Sequence, residues 1–131
     1  MEVVRQIIEP TYKRDTGVWV LHTQTVAIAP DFVVKEQSIV SIPPLQIGGN
    51  HKHPRREAFL GFGKELFLVW QDADQQLHEE AMNADDTIYL FLVESLVPHA
   101  VINKSSDSTA ILYEYADDTQ HDVVPVPVIK I

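Results

Sequence analysis

Near its middle the chain reads Gly48-Gly49-Asn50-His51-Lys52-His53-Pro54-Arg55-Arg56-Glu57, a stretch that places two histidines and a carboxylate at offsets of two and six. Side chains of an extended strand alternate between its two faces, so His51 and His53 point the same way. Glu57 keeps this parity if the chain stays extended past the intervening proline. A further histidine, His99, lies near the start of a later apolar segment. Imidazole and carboxylate groups at these positions indicate a metal site.

The two segments resemble the two signature motifs of the cupin superfamily. The first motif is His-x-His followed four residues on by Glu, as in His51–Glu57, and the second is Pro-His followed by Asn, as in Pro98–Asn103. The resemblance covers roughly residues 35 to 116. It departs from the full motifs at Leu45 and Lys64, where the first motif has glycine, and at Glu94-Ser95-Leu96, which replaces a Pro-x-Gly turn.

The resemblance implies an all-β fold, a double-stranded β-helix (jelly-roll) cupin barrel. It also implies that His51, His53, Glu57 and His99 bind a divalent transition metal, and zinc, iron, manganese and nickel are all compatible with this donor set. The alternative is a barrel that has no metal and in which these polar side chains bond to one another. The metal is favoured because a buried carboxylate without a partner is costly. Asn103 is interpreted as a structural residue.

Short apolar runs of high β-propensity alternate with turn signals along the whole chain, and no sustained helical period is found. This pattern predicts strands at Glu2–Ile8, Val18–Ile28, Val33–Ile42, Gln46–His53, Glu57–Phe62, Glu65–Trp70, Gln75–Met82, Thr87–Leu92, His99–Asn103, Ala110–Tyr115 and Val123–Ile131. Gly63-Lys64 is predicted to form a two-residue hairpin turn. Residues 117–131 contain two prolines that cannot donate to a sheet, so they are predicted to form an edge strand or a dimer arm.

Composition limits the classes of function. A length of 131 residues with 45% apolar content predicts one domain over residues 1–131. The formal charge of −9 and the pI near 4.9 argue against nucleic acid or an anionic membrane as partner. The absence of cysteine leaves imidazole and carboxylate as metal ligands. The first ten residues lack the apolar run of a signal peptide, so a cytoplasmic protein is expected.

A basic cluster lies between the predicted ligands. Arg55 and Arg56 either orient an anionic substrate through bidentate contacts or form a solvated rim that balances nearby acidic residues. Phe59 and Tyr113 are candidates for lining the cavity, as are Tyr89 and Phe91. Packing in the core is the alternative role for these aromatic residues.

The sequence Gly-Asn-His-x-His at residues 49–53 is similar to that of small cupins of sugar and polysaccharide biosynthesis, including nucleotide-sugar epimerases and ketoisomerases. This similarity implies that His51 or His53 acts as acid or base next to a keto group, whereas a metal would polarise a carbonyl or activate oxygen. We therefore expect a metal-dependent isomerase or epimerase acting on a small carbohydrate-like or other anionic substrate. A metal-dependent dioxygenase and a non-catalytic sugar-binding or metal-binding module are the alternatives. A homodimer is expected from the resemblance.

Overall fold

The chain folds into two facing antiparallel sheets in a computed structural model that describes residues 2–130. Met1 and Ile131, the outer limits of the predicted domain and of the predicted last strand, lie outside this range. The described residues form a 3-10 helix at Thr23–Thr25 and the strands β1 (Val3–Ile8), β2 (Tyr12–Lys13), β3 (Trp19–Val20), β4 (Glu36–Ile42), β5 (Ile47–Lys52), β6 (Glu57–Phe62), β7 (Leu66–Gln71), β8 (Leu77–Ala81), β9 (Asn83–Ala84), β10 (Thr87–Val93), β11 (His99–Asn103), β12 (Ala110–Ala116) and β13 (Val124–Pro125).

The strand order identifies a jelly roll. The first sheet has the order β1-β10-β6-β12-β4, with β9 paired to β10, and the second sheet has the order β13-β5-β11-β7-β8. Strands β2 and β3 form a separate small hairpin. Strands that are adjacent in sequence therefore cross repeatedly between the two sheets, as in a double-sheet jelly roll. The all-β prediction is confirmed.

The turn at Gly63-Lys64 does not form the predicted hairpin. Strand β6 pairs with β10 and β12, whereas β7 pairs with β8 and β11 in the other sheet. The turn thus carries the chain from one sheet to the other. Gly63 faces a close neighbour here, since an added Cβ would lie 2.7 Å from the Cβ of Ala110.

Alternation along the strands builds the core between the sheets. Most inward positions are apolar, and burying such side chains is the main stabilising contribution to a fold of this kind. The interior cluster takes members from both sheets: Val3, Ile42, Phe59, Leu66, Leu68, Trp70, Met82, Phe91, Val93, Val97, Val101, Ala110 and Leu112. The part of this interior that lies near β5, β6 and β11 contains the polar side chains described below.

Terminal segments cover the outer faces of both sheets. The predicted strand Val18–Ile28 is wrong beyond Trp19–Val20, since its remaining apolar side chains pack on the outer face of the first sheet around Tyr115 and Leu60. At the other end Val128 packs on the second sheet against Val69 and Ala100. Among residues 2–130 no helix has the length and apolar character needed to cross a membrane.

A β-bulge interrupts the pairing of β5 with β11. His51 lies opposite His99 and Gly49 lies opposite Ala100, so Asn50 is the extra residue on β5. Its φ of 65° lies in the left-handed region, which asparagine tolerates better than most residues. Bulges twist a strand locally and change the direction of neighbouring side chains. This bulge immediately precedes the first predicted ligand.

Candidate metal centre

The structure brings the four predicted ligands together. His51 on β5 and His99 on β11 are direct partners across the second sheet. Glu57 is the first residue of β6 in the facing sheet, and His53 lies in the connection between the two sheets. One potential ligand atom from each residue lies within 4.8 Å of the other three. His53, Glu57 and His99 are buried, while His51 is half-buried.

The predicted reason for this convergence is wrong in one respect. Strand parity assumed that the chain stays extended from His51 to Glu57, whereas β5 ends at Lys52 and the chain crosses to the other sheet. The ligands therefore approach from facing sheets rather than from one strand face. The fourth partner, His99, is aligned with His51 by backbone pairing.

Backbone carbonyls fix the orientation of two imidazoles. The Nδ1 atom of His53 lies 3.0 Å from the carbonyl oxygen of Arg55, and that of His99 lies 2.8 Å from the carbonyl oxygen of Val97. A carbonyl oxygen can only accept, so Nδ1 carries the hydrogen in both rings and the Nε2 of a neutral ring carries a lone pair. In metal sites, hydrogen bonds from Nδ1 to a backbone carbonyl orient the histidines that bind the metal.

Both Nε2 atoms point at one carboxylate oxygen. The Nε2 atoms of His53 and His99 each lie 3.1 Å from Oε1 of Glu57. The lone pairs of two neutral rings would repel the carboxylate oxygen that they face. A positive charge must therefore lie between these atoms, either as a second proton on one ring or as a bound cation. Imidazole and carboxylate donors suit divalent first-row ions. The residues of this site therefore fit a metal ion.

The charge states follow from burial and from neighbouring groups. Burial raises the pKa of Glu57, but the hydrogen bonds with His53 and His99 outweigh it, and the net pKa of Glu57 lies well below its usual range. Burial, together with the two neighbouring histidines, lowers the pKa of His51 to about 4. At neutral pH the site thus contains an ionised carboxylate and a neutral His51.

Arg55 positions Glu57 instead of offering a free anion clamp. Its Nε and Nη2 atoms lie 2.9 and 2.7 Å from Oε2 of Glu57, which leaves Oε1 for the histidines. Nη2 also donates to Glu114 at 2.7 Å, and Nη1 donates to Glu36 at 3.1 Å and to the carbonyl oxygen of Asp118 at 3.3 Å. All the donors of this guanidinium are thus directed at acceptors of the protein itself.

Two other predicted substrate contacts lie outside the cavity. Arg56 is paired with Asp117 at 2.9 Å and with Asp31 at 3.2 Å. Tyr113 packs on the outer face of the first sheet, and its hydroxyl donates to Gln37 at 2.6 Å. It occupies the face of β12 opposite to Leu112, because side chains alternate along a strand.

A cavity of about 110 Å³ opens beside the four ligands. Phe59 lines it as predicted, with its ring centroid 6.2 Å from that of His99. The lining consists of Val40, Ile42, Gly48, Gly49, His51, Arg55, Glu57, Phe59, His99, Val101, Leu112, Glu114 and Gln120. His53 is not among these residues. A larger depression of about 560 Å³ lies beside Trp19 and Phe62, away from the cluster.

Sequence reasoning missed Glu114. This residue lines the cavity, and burial together with the charge of Glu57 raises its pKa to about 7. The available signal was a carboxylate at an inward position of an otherwise apolar strand, two residues after Leu112. Such a position is rarely charged without a partner or a function.

No protein-family model matches the sequence, and no curated protein matches it significantly. Solved structures do match. A dTDP sugar isomerase from Desulfovibrio desulfuricans G20 is similar with a TM-score of 0.71 and 17% identity, over 97% of this chain and 88% of that chain. QdtA, a sugar 3,4-ketoisomerase from Thermoanaerobacterium thermosaccharolyticum, gives a TM-score of 0.69 and 9% identity, over 95% and 88% of the two chains.

A third similar structure is much longer. The capsular polysaccharide assembling protein CapF from Staphylococcus aureus matches with a TM-score of 0.61 and 16% identity over 75% of this chain, which spans 28% of the CapF chain. Identities this low show the fold alone. The fold of residues 2–130 is therefore the cupin jelly roll that the two motifs predict.

Proposed function

We propose that this chain is a metal-dependent small-molecule enzyme of the isomerase or epimerase type, acting on a carbohydrate-like hydroxycarbonyl compound. The observation that carries the proposal is the placement of Nε2 of His53 and Nε2 of His99, each 3.1 Å from Oε1 of Glu57. His51 completes a set of four residues that would hold zinc, iron, manganese or nickel. Such an ion supplies a Lewis acid that polarises a carbonyl group.

The chain itself supplies a group for proton transfer. Glu114 lines the cavity and does not belong to the ligand set. A carboxylate in this place can accept a proton from the carbon next to a carbonyl and return it to a neighbouring atom. His51 also lines the cavity, and its neutral imidazole serves either as ligand or as proton acceptor. His53 lies outside the cavity lining, which supports a ligand role for it and not a catalytic one.

Two further features support this assignment. Arg55 bonds to both Glu57 and Glu114, so one guanidinium holds a ligand and the proposed proton acceptor in fixed positions. The apolar side chains of Phe59, Val101 and Leu112 form a wall that suits the carbon skeleton of a substrate. The fold is shared with a sugar 3,4-ketoisomerase that was solved in complex with TDP, and with a dTDP sugar isomerase.

The first experiment measures metal content. Plasma mass spectrometry of tag-free protein, reconstituted with iron, manganese, nickel or zinc, is expected to give close to one ion per chain. His99→Ala is expected to lose the ion, whereas the control His22→Ala, an exposed histidine outside the cluster, is expected to retain it. Failure of the parent protein to take up any of the four metals would overturn the metal-dependent assignment.

The second experiment measures proton transfer. Nuclear magnetic resonance in deuterated water is expected to show deuterium entering short hydroxyketones next to the carbonyl, and only with the metal-loaded protein. Glu114→Gln is expected to slow this exchange by about 10²-fold without changing metal content. Oxygen consumption without exchange would instead support the dioxygenase alternative. Metal binding with neither activity would support a binding module.

A homodimer is a further part of the proposal. The C-terminal segment is not free to act as a dimer arm, because Val128 packs against Val69 and Ala100 of its own chain. What supports it is the edge strand β4, where Ile39 is 70% exposed. Edge strands with exposed apolar side chains tend to pair with another chain. Sedimentation equilibrium is expected to give twice the mass of one chain, and a monomer would contradict this part.

A further inference from the structure

We propose that Gln120 is a substrate-binding residue of the cavity, and that its side-chain amide binds a hydroxyl group beyond the carbonyl and hydroxyl groups that react. This inference rests on the proposed function and narrows its substrate class to carbonyl compounds with at least two hydroxyl groups. Gln120 lies in the segment between β12 and β13, outside both sequence motifs.

The side chain of Gln120 is available to a bound molecule. The polar side chains that line the cavity are those of His51, Arg55, Glu57, His99, Glu114 and Gln120. Three of them belong to the proposed ligand set, and Glu114 bonds to Arg55. Within residues 2–130 the amide of Gln120 forms no hydrogen bond with the protein, although it faces the cavity lining. Its donors and its acceptor are therefore open to a substrate.

Two arginines hold the segment that carries Gln120. The backbone N–H and Nε of Arg56 donate to Asp117 at 2.8 and 2.9 Å, and the backbone N–H of Asp117 donates to the carbonyl oxygen of Arg56 at 3.2 Å. Nη1 of Arg55 donates to the carbonyl oxygen of Asp118 at 3.3 Å. The residues before Gln120 are thus fixed against the connection between β5 and β6. The arginines act on substrate through this segment and not by direct contact.

Further contacts restrict the segment on the other side of Gln120. Nδ1 of His121 lies 3.0 Å from Oδ2 of Asp122, and Nε2 of His121 lies 3.3 Å from Oδ2 of Asp118. The imidazole therefore connects a residue before Gln120 with a residue after it. A side chain whose backbone is already positioned loses less conformational freedom when it binds a ligand.

A primary amide suits a hydroxyl group. Its NH₂ group donates and its oxygen accepts, which matches a hydroxyl that both accepts and donates. The amide contributes no charge, and the guanidinium groups of Arg55 and Arg56 are bonded to carboxylates of the protein. This side of the cavity thus offers hydrogen bonds for a neutral polar group.

The depth of Gln120 indicates which hydroxyl it binds. Glu57 and His99 are buried, whereas Gln120 is exposed and lies on the part of the lining nearest to solvent. A substrate whose carbonyl group reaches the ligand cluster extends outward from it. A hydroxyl further along its carbon chain is therefore the group that meets Gln120.

The test compares hydroxyacetone with dihydroxyacetone, which differ by one hydroxyl group. Deuterium exchange next to the carbonyl gives kcat/KM for each compound with the metal-loaded full chain. Gln120→Met is expected to lower the ratio of kcat/KM for dihydroxyacetone to that for hydroxyacetone by about fivefold to tenfold, the effect of one hydrogen bond. Metal content is expected to stay unchanged.

Three further variants isolate the contact. Gln76→Met makes the same chemical change in the exposed turn between β7 and β8, and Thr119→Val changes the neighbour of Gln120 outside the cavity lining. Both are expected to keep the wild-type ratio. Asp117→Ala removes the contacts with Arg56 and is expected to lower the ratio in the same direction as Gln120→Met. An unchanged ratio in Asp117→Ala would contradict the positioning role of Arg56.

A second measurement detects the contact without turnover. In isotope-labelled protein, both zinc-loaded and metal-free, the side-chain amide signal of Gln120 is identified as the signal that is missing from Gln120→Met. Nuclear magnetic resonance is expected to show this signal shifting on addition of dihydroxyacetone and staying in place on addition of hydroxyacetone.

The outcomes distinguish this inference from the function on which it rests. In a protein that exchanges both compounds, an unchanged ratio in Gln120→Met overturns the role of Gln120 and leaves the proposed function standing. A protein that exchanges neither compound overturns the proposed function. The amide signal then decides the role of Gln120, which a shift specific to dihydroxyacetone supports and an unmoved signal overturns.

Discussion

Asn50 and Ile129 exchange two hydrogen bonds. Nδ2 of Asn50 donates to the carbonyl oxygen of Ile129 at 2.8 Å, and the backbone N–H of Ile129 donates to Oδ1 of Asn50 at 2.9 Å. The bulged residue that precedes His51 is thus the anchor of the C-terminal segment. One side chain connects the direction of a proposed metal ligand to the packing of Val126, Val128 and Ile129 on the second sheet.

Asn50→Ala is expected to lower the free energy of unfolding by about 2–3 kcal/mol. It removes two hydrogen bonds at about 1 kcal/mol each and places alanine at a φ of 65°. Asn50→Gly is the matched control, because glycine tolerates this φ and the substitution therefore removes only the two hydrogen bonds. Urea unfolding measures both variants. Equal stability of Asn50→Ala and the wild type would show that the anchor does not contribute.

Arg55→Met is expected to cost about 3–5 kcal/mol of stability, since it leaves Glu57 as a buried carboxylate without its cation. Lys64→Met is the control, because Lys64 forms an exposed pair with Asp107 and such pairs contribute less than about 1 kcal/mol. Chemical denaturation of metal-free protein measures both. A cost for Arg55→Met as small as that of the control would contradict the positioning role.

The pKa of Glu114 predicts a pH dependence of stability in metal-free protein. Its pKa is raised from 4.5 to about 7 in the folded state, so the folded state holds the proton more tightly. The stability that this gives is complete below about pH 4.5 and is lost as the pH rises through 7. Between about pH 5.5 and 8 the loss is expected to reach about 2 kcal/mol. In Glu114→Gln this contribution should be absent, and an identical pH slope in the two proteins would refute it.

Gly49 supports close approach of β5 and β11 at the bulge. Its φ is 83°, and an added Cβ would lie 3.1 Å from the carbonyl oxygen of His99. Gly49→Ala is expected to lower stability by about 2 kcal/mol and to weaken the proposed metal binding, because it displaces the backbone of His99, a proposed ligand.

Gly17→Ala separates strain from contact. Gly17 has a φ of 94° and an added Cβ would meet nothing within 4 Å, so its substitution reports the backbone strain alone. Thermal unfolding and metal titration of the two variants are compared. If Gly17→Ala and Gly49→Ala cost the same stability and bind metal equally, the contact with His99 has no role.

The sequence predicts the ends of two strands correctly, and each of these strands begins at a residue of one of the two motifs. Glu57–Phe62 and His99–Asn103 have the same limits in sequence and structure. The predicted strand Val18–Ile28 was wrong over most of its length because its apolar side chains cover a sheet without pairing with it. Burial of this kind gives the same hydrophobic pattern as a strand. A turn such as Gly63-Lys64 reports a change of direction but not which sheet receives the next strand.

The clustering of the four predicted ligands followed from the sequence, whereas their surroundings did not. Motif spacing identified His51, His53, Glu57 and His99. The role of Arg55 depends on carboxylates that are distant in sequence, 19 residues before it and 59 residues after it. No local pattern connects such residues, since the strands that carry them pair only in the folded sheet.

The candidate metal centre takes its residues from both halves of the barrel. His51 and His99 belong to one sheet and Glu57 to the other. An ion held by all of them would act as a cross-link between the two sheets. Because such an ion binds only the folded state, it would stabilise that state in proportion to the logarithm of the free metal concentration. The melting temperature of this protein would therefore report metal supply, with chelation loosening the contact between the sheets before either sheet unravels.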